Sequence, residues 1–216
     1  ILAGGGKAAP ALGSDGSGLT LAAGLGHHVT GCRPSLCGVK CEGIFFSEWA
    51  GIRTAATVRV LSQDRKEILT ENTGEVQLTD YGISGIPTFQ ISHVIGEQLY
   101  DLHNSQTSKE NSVPLELDFL PDFTEEYLQQ QIQARLENTV TEPLTLANLF
   151  MGMVNSKLLA CVLKQKNWQC EKQATFQGAK ELLESFKHFT LKAVALNDFT
   201  QAQVTAGGGP LQEINE

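Results

Sequence analysis

The chain has 216 residues, a formal net charge of -8, and an ordinary balance of 41% hydrophobic and 19% charged residues. This length fits one large domain or two small ones. The acidic balance lacks the basic surface that nucleic-acid binding needs, so we expect no nucleic-acid partner. The N-terminus shows no basic region ahead of an apolar run, and polar residues interrupt the longest apolar stretch, 144–163. We therefore expect no membrane partner and a cytoplasmic location.

Residues 1–30 are predicted to form a strand, a glycine-rich loop and a short helix. The apolar residues 1–3 lead directly into three glycines, and a second glycine-rich loop at 13–18 precedes a weak helix that ends near Gly24. The chain closes on a similar apolar segment followed by three glycines at 207–209. Strands placed in this way leave backbone groups unpaired, which leads us to expect an excised segment whose ends return to one missing neighbour.

Residues 31–120 are predicted to form a β-rich body, because the apolar period changes to two. Residues 57–61 alternate and predict a strand, and Asn72-Thr73-Gly74 predicts a turn between a strand at 66–69 and another at 75–78. Residues 113–119 predict a further strand, in which Pro114 suits a sheet edge. One helix is expected after Gly85.

Residues 121–187 are predicted to form a three-helix subdomain. Asp122 and Glu125 have the spacing of a capping box for the first helix. The apolar stripe at 146–162 predicts one longer helix, and a third helix follows at 176–186. Alternation returns at 189–195, which indicates a strand at 188–203 pairing back with the earlier β region. The pattern predicts an α+β fold, with a barrel-like β body interrupted by a helical subdomain.

Four motifs, in order along nearly the whole chain, resemble those of one protein family. Residues 1–19 are similar to I-L-A-T-G-G-K-S-Y-P-x-T-G-S-T-G-D-G-Y and residues 33–36 to R-P-A-L. Residues 74–85 are similar to G-E-I-L-F-T-H-Y-G-I-S-G-P, with Ile86 in place of the final proline, and residues 202–214 to A-Q-V-T-A-G-G-V-x-L-x-E-I. The family is that of the BaiN-like and YhiN-like NAD(P)/FAD-dependent oxidoreductases. These are flavoproteins on a glutathione-reductase-type FAD fold that carries a large insert.

The resemblance implies an assignment for each part of the chain. Residues 1–30 and 204–216 would be stubs of the FAD-binding domain, and 31–203 the insert on the substrate side. The parent would bind FAD, accept hydride from NAD(P)H, and reduce an unsaturated or carbonyl-type small molecule. These residues lack the G-x-G-x-x-G turn that seats the FAD pyrophosphate. We therefore expect the fragment alone to be inactive and without FAD, its partner being the missing FAD-binding domain.

The resemblance also implies the residues that contact the flavin. Glycines after a strand let the backbone approach a ligand closely, because no Cβ intervenes. The loop at 13–18 is either an anion-binding nest at the start of a helix or a flexible bend. The predicted cofactor residues are Ala3, Gly4, Gly5, Gly6, Gly13, Ser14, Gly16, Gly207 and Gly208.

A second candidate site links a strand to the helix expected after it. Tyr81, Gly82, Ser84 and Gly85 would place helix N-terminal donors near a substrate carbonyl. The alternative is a structural corner in which Ser84 caps the helix. No catalytic residue is assigned from the sequence.

Two other functions remain open at this stage. In the first, the chain is a stand-alone interaction module that binds a small ligand or anion without redox chemistry. In the second, it is a module that binds a metal through cysteine and histidine. The metal reading would use Cys32, Cys37 and Cys41 with His27 and His28. Their irregular spacing favours reduced cytosolic thiols, so we predict no metal site.

Overall fold

The computed structural model describes residues 2–104, 111–138 and 144–213. Short 3-10 turns lie at Pro10–Leu12 and Leu211–Glu213. The helices and strands, in chain order, are α1 (Ser17–Gly24), β1 (Arg33–Ser35), β2 (Val39–Cys41), α2 (Phe46–Trp49), β3 (Arg53–Leu61), β4 (Ile68–Leu78), β5 (Gly82–Ser84), α3 (Ile86–Asn104), β6 (Val113–Asp118), α4 (Glu125–Glu137), α5 (Leu146–Leu149), α6 (Ser156–Gln165), α7 (Phe176–Lys187), β7 (Phe189–Leu196) and β8 (Val204–Ala206).

The β body is a closed antiparallel barrel with the strand order β2-β5-β4-β3-β6-β7. The predicted α+β fold with a barrel-like body is therefore confirmed. Closure leaves no edge strand, so the edge position predicted for Pro114 is wrong. Pro114 pairs with Lys192 of β7, whereas the ladder between β6 and β3 reaches only Leu115. The missing proline N–H therefore interrupts no hydrogen bond to β3.

The turn predicted at residues 72–74 is also wrong. β4 runs without a break through this triplet and pairs with β3 along its length, Gly74 lying opposite Ala56. A Cβ on Gly74 would lie 3.0 Å from Cγ of Pro87 at the start of α3. Gly74 is therefore a place where a helix packs closely on a strand, rather than a place where the chain reverses.

Helix α3 packs on the barrel with one buried face and leaves its other face in solvent. It packs against β3, β4, β5, β6 and β7, and also against β1. Its buried side chains include Ile91 and Ile95, which are 1% and 0% exposed. The helix predicted after Gly85 is thereby confirmed, and its buried side chains belong to the same hydrophobic core as the barrel strands.

The helical region differs from its prediction in two ways. Within 111–138 and 144–213 it contains four helices, α4–α7, because the long helix predicted at 146–162 is split in two. The side chain of Asn155 accepts hydrogen bonds from the amides of Lys157 and Leu158 and so starts a new helix there. Helix α4 is capped by Thr124, which accepts from the amide of Tyr127, and not by Asp122.

The segments before β1 and after β8 lie side by side. β1 pairs with β8 in an antiparallel ribbon outside the barrel. Residues 2–6 are not in a strand, so the strand predicted at the start of the chain is absent from the part that the structure describes. None of the helices within the described ranges combines the length and apolarity needed to cross a bilayer.

Candidate functional site

The two terminal segments together form a cleft of about 450 Å³, called here the terminal cleft. It contains five of the predicted cofactor residues, while Ala3, Gly4, Gly13 and Gly16 lie outside its lining. The lining residues are Gly5, Gly6, Ala8, Ser14, Leu19, Gln203, Val204, Thr205, Gly207, Gly208 and Gly209.

Thr205 holds the first glycine turn in place from β8. Its Oγ1 accepts hydrogen bonds from the backbone N–H groups of Lys7 at 2.7 Å and Ala8 at 2.9 Å. A Cβ on Gly6 would lie 2.5 Å from the same Oγ1 atom, closer than real atoms approach. Position 6 therefore requires glycine for this contact, and the predicted glycine turn has a steric cause.

Thr30 holds the second glycine turn in place in the same way. Here the threonine lies in the N-terminal segment and the glycines in the C-terminal one. The N–H of Gly208 donates to Thr30 Oγ1 at 3.0 Å, and the N–H of Thr30 donates to the Gly208 carbonyl at 2.9 Å. Gly207 has φ +88° and leaves no room for a Cβ, which would lie 2.5 Å from the Gly31 carbonyl oxygen. Two threonines therefore fix both walls of the cleft. Thr205 lies in the 202–214 motif but was not assigned a role there, and Thr30 lies in no motif.

The loop at 13–18 is tied down internally. The Ser14 hydroxyl donates to the Ala8 carbonyl at 3.1 Å, and Asp15 Oδ1 accepts from the N–H of Ser17 at 2.9 Å. Hydrogen bonds from the Ser17 hydroxyl and then its amide lower the pKa of the Asp15 carboxyl. A carboxylate thus already lies at the start of α1, which opposes binding of a second anion there.

Helix α1 is apolar but has no buried residue. Leu21 is 60% exposed, Leu25 at its end is 75% exposed, and Leu12 just before it is 89% exposed. Three large apolar side chains within 14 residues are thus left in water, and exposed apolar side chains that lie together mark interaction surfaces. This surface lies on the same terminal segment as the cleft.

At the second candidate site, two of the four predicted residues have structural roles. Gly82 and Gly85 have φ +146° and +98°. A Cβ on Gly82 would lie 2.4 Å from the Val39 carbonyl oxygen, and one on Gly85 would lie 2.6 Å from the Glu75 carbonyl oxygen. Both glycines let β5 and the start of α3 pass tightly over neighbouring strands.

Ser84 and Gly85 line a cleft of about 390 Å³ at the barrel rim, called here the rim cleft. The Ser84 carbonyl accepts from Thr88 Oγ1 at 3.1 Å, and no hydrogen bond joins the Ser84 hydroxyl to an amide of α3 within the described residues. Arg53 lies in the same cleft and contacts Glu75 at 3.3 Å. The full lining is Arg53, Thr73, Gly74, Glu75, Gln77, Ser84, Gly85, Ile86, Pro87 and Phe89.

Tyr81 is not among the residues that line the rim cleft, and it contacts a buried asparagine. Asn197 Nδ2 donates to the Tyr81 hydroxyl oxygen at 3.0 Å and to Gln201 Oε1 at 2.6 Å. Asn197 and Tyr81 are 116 residues apart in the chain. No motif or spacing signals this pair, so the sequence could not have placed it.

The cysteine and histidine residues do not assemble a metal site in the described ranges, where no group of three such ligands is found. Burial raises the pKa of the Cys37 thiol to about 11 and that of Cys41 to about 12, so both stay protonated. His27 and His28 instead contact Glu213. Hydrogen bonding to His28 is the main cause that lowers the pKa of the Glu213 carboxyl.

Comparison with known proteins decides the family. The model of the "HI0933-like protein barrel and H2TH domain" matches residues 33–204. The chain belongs to the HI0933-like family. This is the BaiN-like and YhiN-like flavoprotein family to which the four sequence motifs point. The matched range covers the barrel and the helical region α4–α7, in agreement with the two parts named in the family description.

One curated relative of this HI0933-like chain is the "3-dehydro-bile acid delta(4,6)-reductase" of Clostridium scindens. The two are 36% identical over 218 aligned positions, which cover 99% of this chain and 50% of the relative. The chain therefore spans about half the length of the curated relative that it matches.

Proposed function

We propose that these residues form the substrate-side part of an FAD-dependent oxidoreductase that uses NAD(P)H to reduce an unsaturated or carbonyl-type small molecule. One observation carries the proposal: a chain that aligns from end to end with half of a reductase brings two glycine turns together in one cleft. The relative's name describes a reductase of a bile acid, and we extend only the reaction class to this protein.

The terminal cleft fits one edge of a flavin. Its walls are backbone at Gly5, Gly6 and Gly207–Gly209, and backbone amides at such positions suit the polar edge of a planar ring. When bound, the flavin would supply the hydride transfer. The contribution of this chain is to hold the ring edge, through the turns that Thr30 and Thr205 fix, and to shield that edge from water.

The exposed apolar surface of α1 supports a protein partner at the same place. Leu12, Leu21 and Leu25 would be covered by the dinucleotide-binding domain that we propose to complete the cofactor site. The relative has about as many further residues as it shares with this chain, which is enough for such a domain. The five cysteines are all free, which suits the reducing cytoplasm where we expect the protein.

The rim cleft is our proposed place for part of the substrate. Ile86, Pro87 and Phe89 supply an apolar floor, and Arg53, Glu75 and Ser84 supply polar groups at its edge. A mixed lining of this kind suits an apolar molecule that carries a few oxygen functions.

The proposal is tested with the full-length gene product that contains these residues. It should purify with bound flavin, and anaerobic NADH or NADPH should bleach the flavin absorbance. Residues 1–216 expressed alone should be colourless and inactive, because they supply only one edge of the cofactor site. A colourless full-length product that binds inorganic phosphate would favour the anion-binding module. A yellow preparation of residues 1–216 would contradict our view that this part cannot hold FAD.

A further inference from the structure

Three polar side chains line the terminal cleft, those of Ser14, Gln203 and Thr205. Two of them are already used to hold the first glycine turn. The Ser14 hydroxyl donates to the Ala8 carbonyl at 3.1 Å. Thr205 Oγ1 accepts from the N–H groups of Lys7 and Ala8. Neither side chain can turn to a ligand without loosening the cleft wall.

Gln203 differs from these two residues. Its side-chain amide makes no hydrogen bond to any residue that the structure describes, and the residue is exposed. Its backbone is fixed, because its N–H donates to the Leu36 carbonyl at 3.3 Å and the preceding residue, Ala202, is only 3% exposed. The terminal cleft therefore contains one amide whose donor and acceptor are both unused, on a backbone that is held in place.

A primary amide matches one edge of a flavin ring. The pyrimidine edge of the ring presents an N–H group, N3, between two carbonyl oxygens. A glutamine amide offers an N–H donor to one of these carbonyls and an oxygen acceptor to N3–H, so one side chain makes two adjacent hydrogen bonds. The other side chains of the lining, on Ala8, Leu19 and Val204, are apolar and have no such groups.

We propose that Gln203 is a cofactor-binding residue that pairs with N3–H and a neighbouring carbonyl of the flavin ring. This inference rests on the proposed function, in which the terminal cleft holds one edge of the flavin. Gln203 is not among the cofactor residues predicted from the sequence, although it lies in the 202–214 motif. The pair fixes which edge of the ring lies in the cleft.

The test compares two ligands in the full-length gene product, FAD and 3-methyl-FAD, whose N3 carries no hydrogen. The variant is Gln203→Met, which keeps the length of the side chain but removes the amide, at an exposed position where the fold tolerates substitution. We expect Gln203→Met to bind FAD about 10-fold more weakly than wild type. Affinities for 3-methyl-FAD should agree within about 2-fold, because the methyl group has already removed the pair.

Gln130→Met is the matched control. Gln130 is exposed on α4 and lines neither the terminal cleft nor the rim cleft. This variant should bind both flavins as wild type does.

A second readout does not depend on affinity. The infrared carbonyl stretches of bound, oxidised FAD should lie at higher frequency in Gln203→Met than in wild type, because a hydrogen bond weakens the C=O bond. This comparison decides the assignment if 3-methyl-FAD binds to neither protein.

Unchanged FAD affinity, unchanged carbonyl frequencies, or the same fractional loss of affinity for both flavins in Gln203→Met would overturn the assignment of Gln203 and leave the proposed function intact. Wild-type protein that binds no FAD would overturn the proposed function, and the assignment of Gln203 with it.

Discussion

At the scale of single residues, one buried ion pair joins the barrel to the helical region. The ammonium of Lys187, the last residue of α7, donates to Asp118 Oδ2 at 2.6 Å and to the carbonyl oxygens of Leu120 and Phe123 at 2.9 Å each. Lys187 is 8% exposed and Asp118 is 4% exposed. All three ammonium hydrogens therefore have acceptors, which offsets the cost of burying the charge.

Replacing Lys187 by methionine should destabilise the fold strongly. The substitution keeps most of the apolar stem but leaves the Asp118 carboxylate buried without its partner, at a cost of about 3–5 kcal/mol in the free energy of unfolding. Urea denaturation measures this change. The control is Lys180→Met on the same helix, where the side chain is exposed and the expected change is within about 0.5 kcal/mol. Equal effects of the two substitutions would show that the buried pair has no special role.

At the scale of elements, a charged network crosses the same junction on the surface. His188, between α7 and β7, contacts Glu116 of β6 through Nδ1 at 3.2 Å and Glu125 of α4 through Nε2 at 3.0 Å. Arg59 of β3 also contacts Glu116, at 2.9 Å, and Glu71 of β4. Burial lowers the pKa of His188, but the hydrogen bonds and charges of Glu125 and Glu116 outweigh it, and the net pKa is raised.

This network predicts a pH dependence of stability. A raised pKa in the folded state means that folding favours protonated His188. Its stabilising contribution is therefore fully present below the unfolded value of 6.5 and is lost as pH rises through the folded pKa. Thermal unfolding of wild type, between about pH 6 and about pH 9, should show this loss. In His188→Gln the loss in that window should disappear. An identical pH profile in the two proteins would count against the network.

The same elements show what the sequence could and could not predict. Alternation at 57–61 predicted a strand there correctly, although in the structure both faces of that stretch of β3 are covered and only Arg59 within it is not fully buried. The turn predicted from the Asn-Thr-Gly triplet at 72–74 was wrong, because pairing with β3 and contact with Pro87 hold the triplet extended against its local turn preference. The glycine turns of the terminal cleft were visible as motifs. The roles of Thr30, Thr205 and Asn197 were not visible, although Thr205 lies in the 202–214 motif, because their partners are distant in the chain and only the fold brings them together.

At the scale of the whole molecule, the features that we propose to bind the cofactor lie on the two terminal segments. The terminal cleft and the apolar residues of α1 both belong to the two segments outside the barrel. The barrel and the helical region share one continuous hydrophobic core, to which neither terminal segment contributes a buried residue. Such a distribution suits a chain that completes its cofactor site with a second domain.

The most direct test of this account is the amount of FAD bound to the full-length gene product when Gly6 is replaced by valine. A side chain at this position meets Thr205 and displaces the first wall of the cleft. Gly51→Ala is the control, because that glycine has φ +88° and open space around its Cβ position, so it tests backbone strain alone. We predict about one FAD per chain in wild type, retention in Gly51→Ala, and loss in Gly6→Val. Wild type without FAD, or full FAD content with unchanged affinity in Gly6→Val, would contradict the account.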